Sequence, residues 1–217
     1  MSDLNIGILS GVPQPMTKQS ILSDTREITA VVLAGGQGQR MGGMDKGWVN
    51  FQGRPMIHHV LEQISPQVQS VLINANRSLE EYQALGHQVV EDIEQGYHGP
   101  LMGMLTGLTH AKTDWVLFVP CDIPLLPKDV VEKLNEAVAK NDVDVAVVHD
   151  GERLQPVISL MRRSLLPSLE SWLAEGKRKI DRWYMQHRMV VVPFDSPEED
   201  FMNLNTQQEV QELEQRL

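Results

Sequence analysis

Hydrophobic residues occur in short runs along this chain, and segments with apolar residues at helical spacing separate the runs. The runs at 28–33 and 115–119 are almost continuously apolar. Strands of this kind are buried on both faces and are typical of parallel sheets covered by helices on both sides. The alternation therefore predicts an α/β fold with three α/β/α layers and a mostly parallel central sheet.

The pattern also predicts where the elements lie. The predicted strands are 29–33, 70–74, 88–91, 115–120, 143–148, 157–160 and 189–193. The predicted helices are 55–64, 78–85, 101–111, 128–140, 164–175, 180–187 and 206–216. Pro55 is expected to be the first helical residue, a position where proline's missing N–H costs nothing.

The first 26 residues have a different character from the rest of the chain. They are rich in Ser, Gly, Pro and Gln and show weak periodicity, which predicts a flexible N-terminal extension. The remaining residues, 27–217, are expected to form one domain, because 217 residues suffice for one substantial core.

Composition excludes several classes of function. The net charge of −10 disfavours general nucleic-acid binding, so an anionic ligand would need a local cationic cluster or a metal. The single cysteine, Cys121, rules out an internal disulfide and favours a reducing compartment. No run approaches the ~18 apolar residues of a membrane span, and the first residues lack a secretory signal. We therefore expect a cytoplasmic protein with no membrane or nucleic-acid partner, and a monomer.

A glycine-dense loop follows the first strand. Residues 33–46 read L-A-G-G-Q-G-Q-R-M-G-G-M-D-K and contain two cations, Arg40 and Lys46. Glycines let backbone N–H groups converge on an anion, and the cations suit a polyphosphate. Two common loops are excluded: Met41 breaks the dinucleotide-binding spacing G-x-G-x-x-G/A, and Met44 occupies the lysine position of a P-loop.

Polar side chains follow other predicted strands, at the sheet edge where ligands bind in open α/β folds. Asp122 follows a buried strand between two prolines, and a carboxylate there suits Mg²⁺. A cap of the next helix is the alternative, but that helix starts too far along the chain. Asp92 could bind a second metal or ribose hydroxyls, or shape a turn. Asn74 could contact a nucleotide or form a turn.

The loop instead matches the pattern L-A-G-G-x-x-x-R-M-x-x-x-x-K, which resembles the loop of nucleotidyltransferases. Its second half, R-M-G-G-M-D-K-G at 40–47, is similar to the molybdenum cofactor guanylyltransferases, the MobA family. The resemblance covers about residues 28–217. Its other motifs are N-A-N-R at 74–77, E-D at 91–92, G-P-L-M-G-M at 99–104, P-C-D-I-P at 120–124, H-D-G-E-R at 149–153 and N-L-N-T at 203–206.

The resemblance implies a Rossmann-like nucleotidyltransferase fold and a Mg²⁺-dependent reaction. GMP would be transferred from GTP to the terminal phosphate of Mo-molybdopterin, releasing pyrophosphate. The protein would align two anions and offset their repulsion. The finished cofactor could pass to molybdoenzyme apoproteins or their chaperones.

The expected roles follow from these motifs. Lys46, Arg40 and Asp122 are the candidate catalytic residues, with Asp122 as the metal ligand. By resemblance, backbone groups of the loop contact guanine and the segment at 99–103 encloses it. Two amides near the end face the second substrate by the same resemblance, and a structural role in the last loop is the alternative. The candidate substrate-binding residues are Leu33, Ala34, Gly35, Gly36, Lys46, Asn74, Asp92, Gly99, Gly103, Asn203 and Asn205.

Two other functions fit part of the pattern. A related nucleotidyltransferase that uses CTP or a sugar phosphate would need the same loop and the same Asp122. A module that only binds and delivers the finished cofactor would use the same pocket, but it would not need Lys46 and a metal carboxylate.

Overall fold

The computed structural model describes residues 27–36, 43–94, 99–195, 197 and 199–217. The predicted flexible extension at 1–26 and the candidate Arg40 lie outside these residues. The strands are β1 (Ile28–Leu33), β2 (Asn50–Phe51), β3 (Arg54–Pro55), β4 (Ser70–Asn74), β5 (Gln88–Val90), β6 (Trp115–Pro120), β7 (Val145–His149), β8 (Leu154–Arg162) and β9 (Met189–Pro193). The helices are α1 (Met56–Ile64), α2 (Leu79–Gln83), α3 (Pro100–His110), α4 (Val130–Asn141), α5 (Leu166–Ala174), α6 (Ile180–Tyr184) and α7 (Gln207–Arg216).

The central sheet has the strand order β5-β4-β1-β6-β8-β7-β9. β1 pairs in parallel with β4 on one side and β6 on the other, so Leu33 lies opposite both Asn74 and Pro120. The carboxyl ends of these three strands therefore meet at one edge. β8 runs antiparallel to its neighbours, and the other pairings of the sheet are parallel.

Helices cover both faces of the sheet. Ala30 and Val32 of β1 pack in a core with buried residues of α1 and α4, whereas Val31 between them packs in a second core with α3, α5 and α6. Alternate residues of one strand thus enter opposite cores, as expected for a strand buried on both faces. The predicted α/β class and mostly parallel sheet are confirmed.

The antiparallel strand has a simple cause. Four residues, 150–153, separate β7 from β8, and so short a connection permits only an antiparallel hairpin because a parallel pairing needs a long crossover. The predicted strand at 157–160 is longer in the structure and spans Leu154–Arg162.

A two-stranded hairpin that the hydrophobic pattern does not predict precedes α1. Gln52 and Gly53 form its turn with positive φ angles of 49° and 77°, as tight two-residue hairpin turns require. Pro55 ends β3 and α1 begins at Met56, so the prediction of Pro55 as the first helical residue was wrong.

The last helix, α7, packs against the β2-β3 hairpin. Thr206 and Glu209 form a reciprocal capping box that starts α7. Val210 and Leu213 of α7 pack with Phe51 of the hairpin in a third small core. This packing brings the segment before α7 to the carboxyl edge of the sheet. Within the described part of the chain, no helix combines the length and apolarity needed to traverse a bilayer.

Candidate active site

A cavity of about 440 Å³ opens where β1, β4 and β6 end. Its walls come from the glycine loop, the start of α3, the end of β6 and the segment before α7. The lining residues are Leu33, Ala34, Gly35, Gly36, Lys46, Asn74, Asp92, Gly99, Pro100, Gly103, Pro120, Cys121, Asp122, Val157 and Asn203. The structure thus brings nearly all the candidate residues together around this cavity. Asn205 is not in that lining but accepts a hydrogen bond from Lys46. Arg40 is outside the described residues.

Lys46 and Asp122 form the polar centre of the cavity. The Lys46 Nζ donates to Asp122 Oδ2 at 2.7 Å and to Asn205 Oδ1 at 2.5 Å. With its amide oriented to satisfy its hydrogen bonds, Asn203 donates to both Asp122 oxygens, at 2.6 and 2.9 Å. The backbone N–H of Leu204 donates to the Asp122 carbonyl, which fixes this segment against the end of β6.

The environment of Asp122 favours a cation beside it. Its side chain is 8% exposed, and burial raises the pKa of its carboxyl, whereas the Lys46 ammonium acts against that rise in pKa. The alternative role of a helix cap does not hold, because Asp129 occupies the N-cap position of α4. Asp122 is thus a buried carboxylate aimed at Lys46.

Two amides orient Asp92. Asn74 Nδ2 donates to Asp92 Oδ1 at 2.9 Å, and Asn76 Nδ2 donates to Asp92 Oδ2 at 2.8 Å. The Asp92 N–H also donates to Asn76 Oδ1 at 2.9 Å. Asn74 is 2% exposed, and its Nδ2 also donates to the Val90 carbonyl. The side chain therefore holds Asp92 and the end of β5 rather than forming a turn. Asn76 was assigned no role from the sequence, although it belongs to the N-A-N-R motif.

Glycines permit close packing around these groups. A side chain at Gly103 would overlap Asn74 Oδ1 and come within 2.8 Å of Leu33 Cδ2, so α3 can approach the sheet here only through a glycine. Gly99 precedes α3 with a φ of 75°, in the left-handed region that favours glycine. Both positions therefore shape the cavity wall by backbone geometry.

Burial disfavours Cys121 as a nucleophile. It is a free, buried thiol, and burial together with the neighbouring Asp122 charge raises its pKa. Across the described residues, no group of three or more His, Cys, Asp or Glu side chains could hold a metal by itself.

This geometry defines a class. A glycine loop after β1, a lysine at the end of that loop and a buried carboxylate after β6 surround a cavity at the carboxyl edge of a sheet, the position of nucleotide sites in such folds. The chain is a nucleotidyltransferase: residues 30–190 match the MobA-like NTP transferase domain.

Comparison with known proteins narrows the class. A molybdenum cofactor guanylyltransferase of Shewanella sp. (strain MR-4) is 48% identical over 86% of this chain and 95% of its own length. The same enzyme of Shewanella piezotolerans is 44% identical over 89% of this chain and 95% of its length. The solved structure of molybdopterin-guanine dinucleotide biosynthesis protein A from Archaeoglobus fulgidus matches with a TM-score of 0.72 at 25% identity, covering 87% of this chain and 97% of that one.

The chain therefore belongs to the molybdenum cofactor guanylyltransferase family, as the loop and its companion motifs predicted. The roles of the individual residues toward substrates remain predictions.

Proposed function

We propose that this protein transfers GMP from GTP to the terminal phosphate of Mo-molybdopterin, forming the guanine dinucleotide cofactor and pyrophosphate. One observation carries most of the argument: Lys46, from the glycine loop, meets the buried Asp122 inside a cavity of nucleotide size. The names of the relatives supply the identity of the two substrates.

Lys46 would neutralise charge on the transferred phosphate. The reaction joins two anions, so the main contributions of the protein are to align them and to stabilise their charge. Nζ is already held by Asp122 and Asn205, so its charge is in place before a substrate arrives. Arg40, in the same loop, is the proposed second clamp on phosphate oxygens.

Asp122 is the proposed ligand for Mg²⁺. A single buried carboxylate fits this ion, because Mg²⁺ is usually held by one or two carboxylates together with substrate phosphates and water. Asp122 would hold the ion, whose positive charge would make the α-phosphorus more electrophilic. Asn203 donates to both carboxylate oxygens and thereby fixes the orientation of Asp122.

The remaining candidates divide between the two substrates. The backbone of Leu33, Ala34 and Gly35 is proposed to contact guanine, with the start of α3 closing the other side. Asp92, held by its two amides, would accept hydrogen bonds from the nucleotide, and ribose hydroxyls fit that chemistry. Asn205 accepts from Lys46 and Asn203 donates to Asp122. Both amides are proposed to face the acceptor phosphate.

The test compares nucleotides on the same acceptor. Purified protein is incubated with Mo-molybdopterin, Mg²⁺ and either GTP or CTP, and pyrophosphate and dinucleotide product are measured. We expect product with GTP and little with CTP. A preference for CTP would overturn the guanylyl assignment, and cofactor binding without pyrophosphate release would indicate a delivery module.

We propose that the protein works in the cytoplasm as a monomer and passes its product to molybdoenzyme apoproteins or their chaperones. Sedimentation of the purified protein alone and with an apoenzyme would test both the oligomeric state and the partner.

A further inference from the structure

Asp45 connects Lys46 to the protein interior. Its Oδ1 accepts from the Tyr82 hydroxyl at 2.6 Å and from the Gly47 N–H at 3.2 Å, and its side chain is 6% exposed. Asp45 is also the N-cap of the short 3₁₀ helix Lys46–Trp48. Because Asp45 directly precedes Lys46, fixing Asp45 fixes the backbone from which the lysine side chain extends.

Tyr82 anchors this arrangement in the core. It is fully buried in α2, and its ring lies 5.2 Å from the ring of Trp48. A side chain at position 47 would overlap the Tyr82 hydroxyl, so Gly47 is required for the close approach. Burial and the Asp45 charge raise the pKa of Tyr82 far above its ordinary value, so the phenol stays a hydrogen-bond donor.

Arg77 holds both ends of the glycine loop. Its Nη1 donates to the Gly43 carbonyl at 2.8 Å, and its Nη2 donates to the carbonyls of Gly36 at 3.0 Å and Met44 at 2.9 Å. Its Nε lies 3.7 Å from Asp45 Oδ2, within ion-pair distance. One guanidinium thus connects residues that enter the loop, residues that leave it and Asp45.

We propose that Asp45, Tyr82 and Arg77 form a loop brace, a set of positioning residues that hold Lys46 and the ends of the glycine loop in their productive places. None of the three is among the residues that line the cavity, so they act through Lys46 and the loop. The proposal rests on the proposed function for its kinetic test, but the geometry of the brace can be measured without substrate.

The first test replaces Tyr82 and Arg77, one at a time, with residues that lack their hydrogen-bond donors. Tyr82→Phe deletes a hydroxyl that donates to a carboxylate, and we expect kcat to fall about tenfold while KM for GTP changes less than about twofold. Tyr184→Phe is its control, since it also loses a buried hydroxyl that donates hydrogen bonds. Arg77→Gln is expected to lower kcat at least as much. Its control is Arg188→Gln, because Arg188 is an ion-paired arginine on the surface.

A double-mutant cycle separates positioning from general stability. Tyr82→Phe should cause a much smaller loss of kcat in a Lys46→Ala background than in the wild type, because the lysine that Asp45 positions is gone. Asp45→Asn keeps an oxygen that can accept from Tyr82 and Gly47, so it should retain far more activity than Asp45→Ala. Additive losses in the cycle, or equal kcat for the Tyr82→Phe and Tyr184→Phe variants, would overturn the proposal.

Hydrogen exchange provides a readout that needs no substrate. The Gly47 amide should exchange at least about tenfold faster in Tyr82→Phe than in the wild type or Tyr184→Phe, measured by NMR under native conditions. Unchanged exchange of the Gly47 amide in Tyr82→Phe would refute the loop brace even if the enzyme makes the dinucleotide. Conversely, faster exchange in Tyr82→Phe together with a wild-type protein that does not turn over GTP would refute the proposed function and leave the loop brace supported.

Discussion

Replacing Lys46 by alanine tests the cationic centre of the cavity. In the folded protein its Nζ bonds to a buried carboxylate and an amide, so the charge is already oriented. Loss of one preorganised group that stabilises transition-state charge lowers kcat by about 10²–10³, or roughly 2.7–4 kcal/mol. We therefore expect Lys46→Ala to reduce turnover of GTP by about this factor.

Stability changes in the same variant and must be measured separately. Asp122 would keep its amide donor from Asn203, but its buried charge would lose the Lys46 cation. Leaving the Asp122 carboxylate without this donor should cost about 1–3 kcal/mol of unfolding free energy. Without Lys46 the folded-state pKa of Asp122 lies still further above its unfolded value, so the deficit should shrink as pH falls through that raised pKa.

The assay is pyrophosphate release with GTP, Mg²⁺ and Mo-molybdopterin at a temperature where urea titration shows the variant folded. Lys140→Ala is the matched control, because Lys140 is an exposed lysine paired with Glu136 on α4. We expect the control to keep wild-type turnover. A Lys46→Ala enzyme within about threefold of wild type would remove Lys46 from the mechanism.

Three further changes test the surrounding structure, each read as unfolding free energy in urea. Gly103→Ala forces a Cβ against Asn74 and should cost about 1–3 kcal/mol, whereas an unchanged value would show that α3 can move. Thr206→Ala removes the capping box of α7 and should cost about 1 kcal/mol; no loss would contradict the observed cap. Arg188→Gln removes the donors that lower the pKa of Asp144, so a small loss of unfolding free energy near pH 7 should narrow as pH falls below about 4, and a pH-independent loss would refute this pairing.

The carboxyl edge of the sheet was predictable because it depends on local signals. Buried runs locate β1, β4 and β6, and parallel pairing brings their ends together whatever the helices do. Asn74 and Asp122 follow directly from that rule. The glycine loop is equally local, since its spelling lies within fourteen residues, 33–46.

The missed contacts depend on tertiary packing. Tyr82 meets Asp45 across 37 positions, and Asn205 meets Lys46 across 159. No periodicity connects such residues, because their proximity arises only when α2 and the segment before α7 pack against the loop. The hairpin before α1 was missed for a different reason: its strands have two residues each, too short for any alternation to appear.

The account depends most on GTP binding beside Lys46 and Asp122 with the help of a divalent ion. Equilibrium dialysis of the purified protein against labelled GTP, with and without Mg²⁺, measures this directly. We expect saturable binding that weakens when Mg²⁺ is chelated and weakens again in Lys46→Ala. Absence of GTP binding in the presence of ample Mg²⁺ would contradict the account.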